Sequence, residues 1–327
     1  MKVSELGEFG LIERLARVLG DDAAKELIVG IGDDAAAWRS GDQVLLATTD
    51  TLVEGVHFLP GLAPWRDVGW KALAVSASDI AAMGGIPSFA LVTLALPVDT
   101  EAGDVDELYV GMRECGMEYG MAIVGGDVVR AGVVSITVAL VGMAQMRAGE
   151  PLLLRRDGAQ AGDVIAVAGD GYLGDSAAGL RRLRDGAPLD DALVRAHLRP
   201  RPPLAMAQEA ARLGFTCAID VSDGLVQDLG HVCKMSGLGA DVSAPPMSDE
   251  LAAAFAGDAL ALSCMGGEDY LLLLVGSRAR VDEMSKGGLP IAEIGVMVEG
   301  QGRIRLLDET GKEVAVSTHG WDHLRGE

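Results

Sequence analysis

Six short segments of the chain set acidic residues beside glycine, serine or threonine, and together they could bind a metal ion. They are Gly32-Asp33-Asp34, Thr48-Thr49-Asp50, Ser78-Asp79, Gly126-Asp127, Asp220-Val221-Ser222-Asp223 and Gly267-Glu268-Asp269. Most of them end an apolar run that is typical of a buried strand, so their carboxylates are expected where loops gather. Several such loops form a cage of hard oxygen ligands, which is the environment of Mg²⁺ beside substrate phosphates. Turn and N-cap chemistry explains any single aspartate, but it does not explain the repeated strand in front.

The chain is strongly acidic, with a formal net charge of −21. Nucleic acids and anionic membranes need a basic protein surface, so we expect neither as a partner. An acidic protein holds a polyphosphate only if cations lie between the two. The charge therefore strengthens the prediction of a metal site.

Motifs for other kinds of catalysis are not found in the sequence. Cys115, Cys217, Cys233 and Cys264 form no CxxC pair and lie in apolar settings, which predicts buried thiols. The five histidines form no His-x₃-His pair for zinc. The sequence has no Gly-x-Ser-x-Gly elbow, no Walker lysine and no protein-kinase motif set. If phosphoryl transfer occurs here, metal ions and backbone groups must supply most of the electrostatic stabilisation.

Length and hydropathy indicate a water-soluble protein with ample core. The chain has 327 residues, of which 49% are apolar, but no apolar run approaches the roughly 18 residues of a membrane-spanning helix. The first residues, Met1 to Glu5, lack the basic start and apolar core of a signal peptide. We therefore expect a cytoplasmic protein.

The periodicity of apolar residues predicts a mixture of helices and strands. Helices are expected over 4–19, from 67 to the glycines at 84 and 85, and over 105–119, 175–183, 202–213 and 224–236; strands are expected over 26–31, 43–48, 89–96, 121–124, 133–144, 164–168, 217–219, 270–275, 291–298 and 303–307. These elements do not alternate strictly, which favours an α+β fold over a doubly wound sheet. An irregular link over 147–162 suggests a domain boundary near residue 148, giving domains 1–148 and 149–327.

The position of Asp79 in this scheme supports a metal site. It lies near the C-terminal end of a predicted helix, where the helix dipole disfavours a carboxylate. A surface aspartate is possible there, but a metal partner explains it better.

Several weaker signals remain open on the residues alone. The segment Gly169 to Gly174 precedes a helix whose free N–H groups could bind phosphate, although a tight turn is the favoured interpretation. Arg130 and Arg156 could bind phosphate or pair with nearby carboxylates. His57 and Trp321 are as consistent with structural roles as with functional ones.

In order along the chain, the motifs resemble those of the thiamine-monophosphate kinase family. The matching stretches are Gly7 to Ile12, Gly30 to Ala35, Thr48 to Phe58, Lys71 to Val75, Ser78 to Gly84, Gly125 to Asp127, Leu173 to Leu180, Asp220 to Leu225, Gly266 to Tyr270 and Gly320 to His323. The resemblance implies an ATP-dependent kinase that converts thiamine phosphate to thiamine diphosphate. It also implies an N-terminal half that binds ATP and Mg²⁺ and joins its dimer mate in a β-barrel, followed by an α+β C-terminal half.

The resemblance also implies roles for individual residues. Mg²⁺ ligands would be Asp34, Thr48, Thr49, Asp50, Asp79, Asp127, Asp220 and Asp223, and among them Asp50, Asp127 and Asp223 are the expected catalytic residues. ATP contacts would be Gly126, Asp127, Arg156 and Ser222, with Arg155 as the alternative to Arg156. Thiamine phosphate contacts would be His57, Glu268 and Trp321.

Related functions are less well supported by the sequence. Selenide water dikinase has a reactive Cys or selenocysteine near its N-terminus, whereas the first cysteine here is Cys115. The hydrogenase-maturation protein ends in a modified Cys, whereas this chain ends in Glu327. Aminoimidazole-ribonucleotide synthetase is the closest enzymatic alternative. A non-catalytic acidic metal-binding protein is the alternative outside enzymes, and nucleotide binding in the presence of Mg²⁺ would distinguish it.

Overall fold

The N-terminal half is built on a mixed six-stranded sheet. The computed structural model describes residues 2–20, 25–243, 245–300, 302–308, 310–314 and 324. The strands of this sheet are β1 (Leu27–Val29), β2 (Ala36–Ser40), β3 (Gln43–Val53), β4 (Ile86–Leu96), β5 (Ala122–Arg130) and β6 (Ser135–Met143). Their order is β1-β2-β3-β6-β4-β5, and only β4 and β5 run parallel. Strand β6 alternates half-buried and buried residues along its whole length, the pattern of a sheet with one face on the core.

Helices of the same half are α1 (Val3–Leu19), α2 (Trp65–Ala82) and α3 (Ala102–Tyr119). Helix α2 is buried along nearly its whole length and packs closely against α3. A Cβ atom at Gly69 would lie 1.9 Å from the carbonyl oxygen of Leu108, and one at Gly111 would lie 1.7 Å from that of Arg66. These two glycines therefore allow the axes of α2 and α3 to approach closely.

A second, seven-stranded sheet organises the C-terminal half. Its strands are β9 (Val164–Ala168), β10 (Cys217–Asp220), β11 (Gly239–Ser243), β12 (Leu272–Gly276), β13 (Ile291–Val298), β14 (Ile304–Leu307) and β15 (Glu313–Val314), in the order β10-β12-β9-β13-β11-β14-β15. The helices are α4 (Asp175–Arg184), α5 (Ala192–Leu198), α6 (Leu204–Arg212), α7 (Leu225–Ser236), α8 (Asp249–Ala254), α9 (Ala259–Met265) and α10 (Arg278–Lys286). Strands β9, β10 and β12 are buried at every residue. Both faces of the sheet are therefore covered at these three strands.

A short hairpin, β7 (Gln145–Arg147) and β8 (Glu150–Leu152), lies between the two sheets. It occupies part of the segment that the sequence predicts as an irregular link. The boundary expected near residue 148 falls in the hairpin turn, where Ala148 has φ 53°. The division into domains 1–148 and 149–327 stays a prediction.

The α+β class agrees with the prediction. The observed strands are longer than the predicted ones where pairing with a neighbour extends them. Strand β3 continues to Val53 because it pairs with β6 along its length, and β5 continues to Arg130 along β4. The sequence pattern missed the short elements β2, β7, β8, β11, β15, α5, α8, α9 and α10. Within the described residues neither sheet closes into a barrel, and none of the described helices is long and apolar enough to cross a membrane.

Candidate functional site

Three carboxylates from distant parts of the chain meet between the two halves. Oxygen atoms of Asp34, Asp79 and Asp220 all lie within 4.8 Å of one another. Asp34 lies in the loop before β2, Asp79 in the last turn of α2, and Asp220 at the end of β10. The sequence predicted Asp34 and Asp220 after strands and Asp79 near the end of a helix. The fold brings these three positions to one site.

Hydroxyl groups orient these carboxylates. Thr48 of β3 donates a hydrogen bond to Asp79, and Ser78 donates one to Asp220 at 2.6 Å. Ser76, two residues earlier on α2, donates to Asp50 at 2.8 Å. Helix α2 therefore presents two buried serines and one aspartate to the cluster.

The electrostatics of the cluster favour a bound cation. Burial, followed by the neighbouring charge of Asp34, raises the pKa of Asp220 to about 8. Burial, followed by the charges of Asp50 and Asp220, also raises the pKa of Asp79 well above its usual range, and burial raises the pKa of Asp50. Like charges this close resist ionising together. The carboxylate and hydroxyl oxygens are the hard donors that Mg²⁺ takes, so the donor set fits that ion.

Arg156 contributes a positive charge to the same site. Its guanidinium donates to both oxygens of Asp34, at 2.7 and 3.3 Å, and its backbone N–H donates to Asp33 at 3.3 Å. Arg155 is more exposed and pairs with Asp157. Of the two adjacent arginines, Arg156 is the one at the carboxylate cluster.

Two of the carboxylates that were expected to follow a strand lie within one. Asp50 lies inside β3 and Asp127 lies inside the edge strand β5, because both strands extend further than the local apolar runs. Successive side chains of a strand point to opposite faces, so Thr48 and Asp50 face the helices whereas Thr49 faces the other side. Asp127 is exposed.

The strand register shows that Asp127 lies on the face of the sheet that points away from the cluster. Asp127 pairs with Thr93, which pairs with Thr137, which in turn pairs with Thr51. This row lies on the face opposite Asp50, so the chain does not bring Asp127 together with Asp34, Asp79 and Asp220. Gly126 has a packing reason to be glycine, since a Cβ there would lie 1.8 Å from the carbonyl oxygen of Val92.

A buried aspartate that sequence reasoning missed holds the loop after β10. One carboxylate oxygen of Asp228 accepts the backbone N–H groups of Ser222, Asp223 and Gly224, each at 3.1 Å. Asp223 itself accepts a hydrogen bond from Gln227 at 3.0 Å. An acidic residue in the first turn of a helix is the sequence signal that could have found Asp228.

The glycine-rich segment before α4 is occupied by a carboxylate of the protein itself. Gly174 and Ser176 donate their backbone N–H groups to the two oxygens of Asp269, at 2.7 and 3.1 Å. This contact takes up N–H groups that were considered for phosphate binding. The structure therefore supports the interpretation of the segment as a tight turn.

Glu268 lies between a lysine and a histidine at the boundary of the two halves. Its Oε1 is 2.8 Å from the Nζ of Lys71, and its Oε2 is 3.5 Å from the Nδ1 of His197. Burial acts to raise the pKa of Glu268, but the ammonium of Lys71 holds that pKa below its usual value. Neither Lys71 nor His197 was predicted; the signal for Lys71 is a lone charge in an otherwise apolar and small-residue stretch of α2.

His57 lies near this group of residues. Its Nδ1 accepts the backbone N–H of Val53 at 3.0 Å, and it lines a narrow cavity together with Phe58, Lys71 and His197. Trp321 lies outside the described residues.

Family models match both halves of the chain. The model for "AIR synthase related protein, N-terminal domain" matches residues 32–144, and the model for "AIR synthase related protein, C-terminal domain" matches residues 160–307. The two sheets and the carboxylates that meet between them are thus those of an AIR synthase related protein with both domains.

Individual relatives show which family of AIR synthase related proteins this chain belongs to. Thiamine-monophosphate kinase of Aquifex aeolicus (strain VF5) is 36% identical over 333 residues, covering 99% of this chain and 100% of the relative. That of Escherichia coli (strain K12) is 38% identical over 345 residues, covering 97% and 98%. The solved structure of AaThiL complexed with AMPPCP and TMP superposes with a TM-score of 0.86, at 35% identity and 99% coverage of both chains. The chain belongs to the thiamine-monophosphate kinase family.

Proposed function

We propose that this protein transfers the γ-phosphoryl group of ATP to thiamine phosphate, forming thiamine diphosphate and ADP. The observation that carries the proposal is the convergence of Asp34, Asp79 and Asp220 between the two halves, in a chain that aligns with thiamine-monophosphate kinases over nearly their full length. The ligands of the similar structure, AMPPCP and TMP, support ATP and thiamine phosphate as the two substrates.

Magnesium would be held by the carboxylate cluster. Ligands would come from Asp34, Thr48, Thr49, Asp50, Asp79, Asp127, Asp220 and Asp223. The hydrogen bonds at Thr48, Asp50, Asp79 and Asp220 support the assignment of these four, since their oxygens already face one another. Mg²⁺ bound there would offset the negative charge of two anionic substrates.

Contacts to ATP would come from Gly126, Asp127, Arg156 and Ser222. Arg156 lies at the cluster with its guanidinium on Asp34, and a planar guanidinium suits phosphate oxygens as well as carboxylates. Because Asp228 fixes the backbone around Ser222 and Asp223, these two side chains would be held in place before ATP binds. Asp50, Asp127 and Asp223 would serve catalysis through positioning and charge neutralisation.

We propose direct transfer without a phosphoenzyme. Burial raises the pKa of the Cys233 and Cys264 thiols to about 11 and raises the pKa of Cys115 and Cys217 further, so no cysteine is an activated nucleophile. The acceptor oxygen belongs to a phosphate whose second pKa is about 6, and it needs no strong general base. Inversion at a chirally labelled γ-phosphorus is expected; retention would exclude direct transfer.

Thiamine phosphate would contact His57, Glu268 and Trp321. The carboxylate of Glu268 suits the cationic ring of the substrate, and an aromatic face at Trp321 would add a cation–π contact. Trp321→Ala should raise KM for thiamine phosphate about tenfold, with KM for ATP unchanged. Equal changes in both constants would support a structural role for this tryptophan.

A homodimer and a cytoplasmic location remain part of the proposal. Strand β5 is an edge with exposed apolar side chains, including Val124 and Val128, and the neighbouring strand β4 exposes Phe89 and Leu91. Monomeric proteins rarely leave such an edge uncovered. Pairing of two N-terminal sheets into a barrel would cover it.

An ADP-release assay tests the function directly. Purified protein with Mg²⁺ and ATP is supplied in parallel with thiamine phosphate, thiamine or formylglycinamidine ribonucleotide. Release of ADP with thiamine phosphate alone is expected. Turnover with the ribonucleotide would indicate an aminoimidazole-ribonucleotide synthetase-like activity, and absence of both turnover and nucleotide binding would indicate a metal-binding protein.

A further inference from the structure

Lys71 is a buried ammonium group at the centre of the molecule. Its side chain is 3% exposed, and its Nζ lies 2.8 Å from the Oε1 of Glu268. Helix α2 supplies Lys71, whereas Glu268 comes from the loop between α9 and β12, so the ion pair crosses the boundary between the two halves. A buried charge is costly unless a partner offsets it.

Other groups face the same carboxylate from several elements. His197 of α5 lies 3.5 Å from the Oε2 of Glu268 and 3.2 Å from the hydroxyl of Ser176. Burial lowers the pKa of His197 to about 3, so this imidazole is neutral. His57, Asp269 and Tyr270 also act electrostatically on Glu268. Of the two ion-pair partners of Glu268, Lys71 is therefore the closer one and the one that carries a charge.

The backbone holds Glu268 in a fixed position. Glu268 and Tyr270 have φ values of 66° and 51°, in the left-handed region that non-glycine residues seldom adopt. The N–H of Glu268 donates to the carbonyl of Ser222 at 2.7 Å, and that of Tyr270 donates to Val221 at 2.8 Å. The loop is thus anchored on the strand end that carries Asp220.

We propose that Lys71 is a positioning residue for thiamine phosphate, because it fixes the Glu268 carboxylate as an anion at the boundary of the two halves. The assignment rests on the proposed function, because it takes Glu268 as the group that recognises the cationic ring. Lys71 acts through Glu268 and contacts neither ATP nor the transferred phosphoryl group.

The test compares Lys71→Met with Lys71→Arg and Glu268→Gln, by KM for each substrate and by pH profile. Lys71→Met should raise KM for thiamine phosphate about tenfold at pH 7 and leave KM for ATP unchanged. Without the ammonium, burial raises the pKa of Glu268, so the ratio of variant to wild-type KM should fall as pH rises from about 6 to 9. Lys71→Arg should restore most of the affinity.

Lys234→Met is the matched control, because it removes a lysine from an exposed pair with Glu13. It should change neither KM. Thermal unfolding of the Lys71→Met/Glu268→Gln double variant separates folding from function, since removing both partners should recover stability lost in Lys71→Met.

Two different results would overturn the assignment. If wild-type protein neither binds nor phosphorylates thiamine phosphate, the proposed function fails and the assignment fails with it. If wild type is active and Glu268→Gln raises KM for thiamine phosphate, but Lys71→Met only lowers thermal stability, Lys71 is structural and the assignment alone fails.

Discussion

Ser78 donates a hydrogen bond of 2.6 Å to Asp220, and this contact joins α2 of the N-terminal half to β10 of the C-terminal half. Both residues are buried. Ser78→Ala leaves the Asp220 carboxylate without this donor, which should lower the free energy of unfolding by about 1–3 kcal/mol. Urea unfolding in EDTA measures the change, with the exposed Ser285→Ala as control. Equal midpoints for Ser78→Ala and wild type would contradict the prediction.

Activity should depend strictly on Mg²⁺. Excess EDTA should abolish turnover, and added Mg²⁺ should restore it, because the clustered carboxylates cannot accommodate two anionic substrates alone. Asp50→Asn should lower kcat about 100-fold while the protein stays folded by circular dichroism. Asp42→Asn, a change at an exposed turn, is the control. Near-normal turnover in EDTA would rule out the metal role of the cluster.

Asp228 should be required for an ordered loop after β10. Asp228→Ala leaves three backbone N–H groups without their acceptor and should lower the free energy of unfolding by about 2–3 kcal/mol. Because the loop carries Ser222 and Asp223, KM for ATP should rise as well. The exposed first-turn Asp249→Ala of α8 is the matched control. If Asp228→Ala affected neither stability nor KM for ATP, the loop would not depend on this carboxylate.

Asp175 should make stability depend on pH. Burial raises its pKa from the ordinary 3.8 to about 6, so the folded protein binds this proton more tightly than the unfolded chain. The resulting stabilisation is complete below about pH 4 and is lost as pH rises to about 6. Asp175→Asn, which can still accept the hydrogen bond from Ser248, should reduce the slope of the free energy of unfolding against pH over this range. Asp170→Asn, an exposed change, should keep the wild-type slope, and an unchanged slope in Asp175→Asn would contradict the prediction.

The edge strand β5 should join two copies of the chain. Sedimentation should give twice the 33.9 kDa of the chain, and Val128→Asp, at a residue 67% exposed, should shift the population to monomer. Val98→Asp, also exposed but outside the strand, should leave the dimer intact. A wild-type monomer at micromolar concentration would exclude this interface.

Local sequence patterns predicted much of the fold. The bounds of β13 agree residue for residue, and the helix that carries Asp79 ends where the glycines at 84 and 85 stop it. These features depend on backbone periodicity and on neighbours within a few residues. The order of the motifs along the chain also identified the family, because residue types and their order can be read without knowledge of the fold.

Tertiary structure alone decided which carboxylates meet. Ser78 and Asp220 are 142 positions apart in the sequence, and burial of two separate sheets brings them together. In a strand, moving by one residue reverses the side-chain direction. The extent and pairing of β3 and β5 therefore placed Asp50 beside Asp79 and placed Asp127 on the opposite face of the sheet. The partners of Asp228, Asp269 and Lys71 were also undetermined by sequence, because a buried charge is satisfied by whichever groups the packed core brings to it.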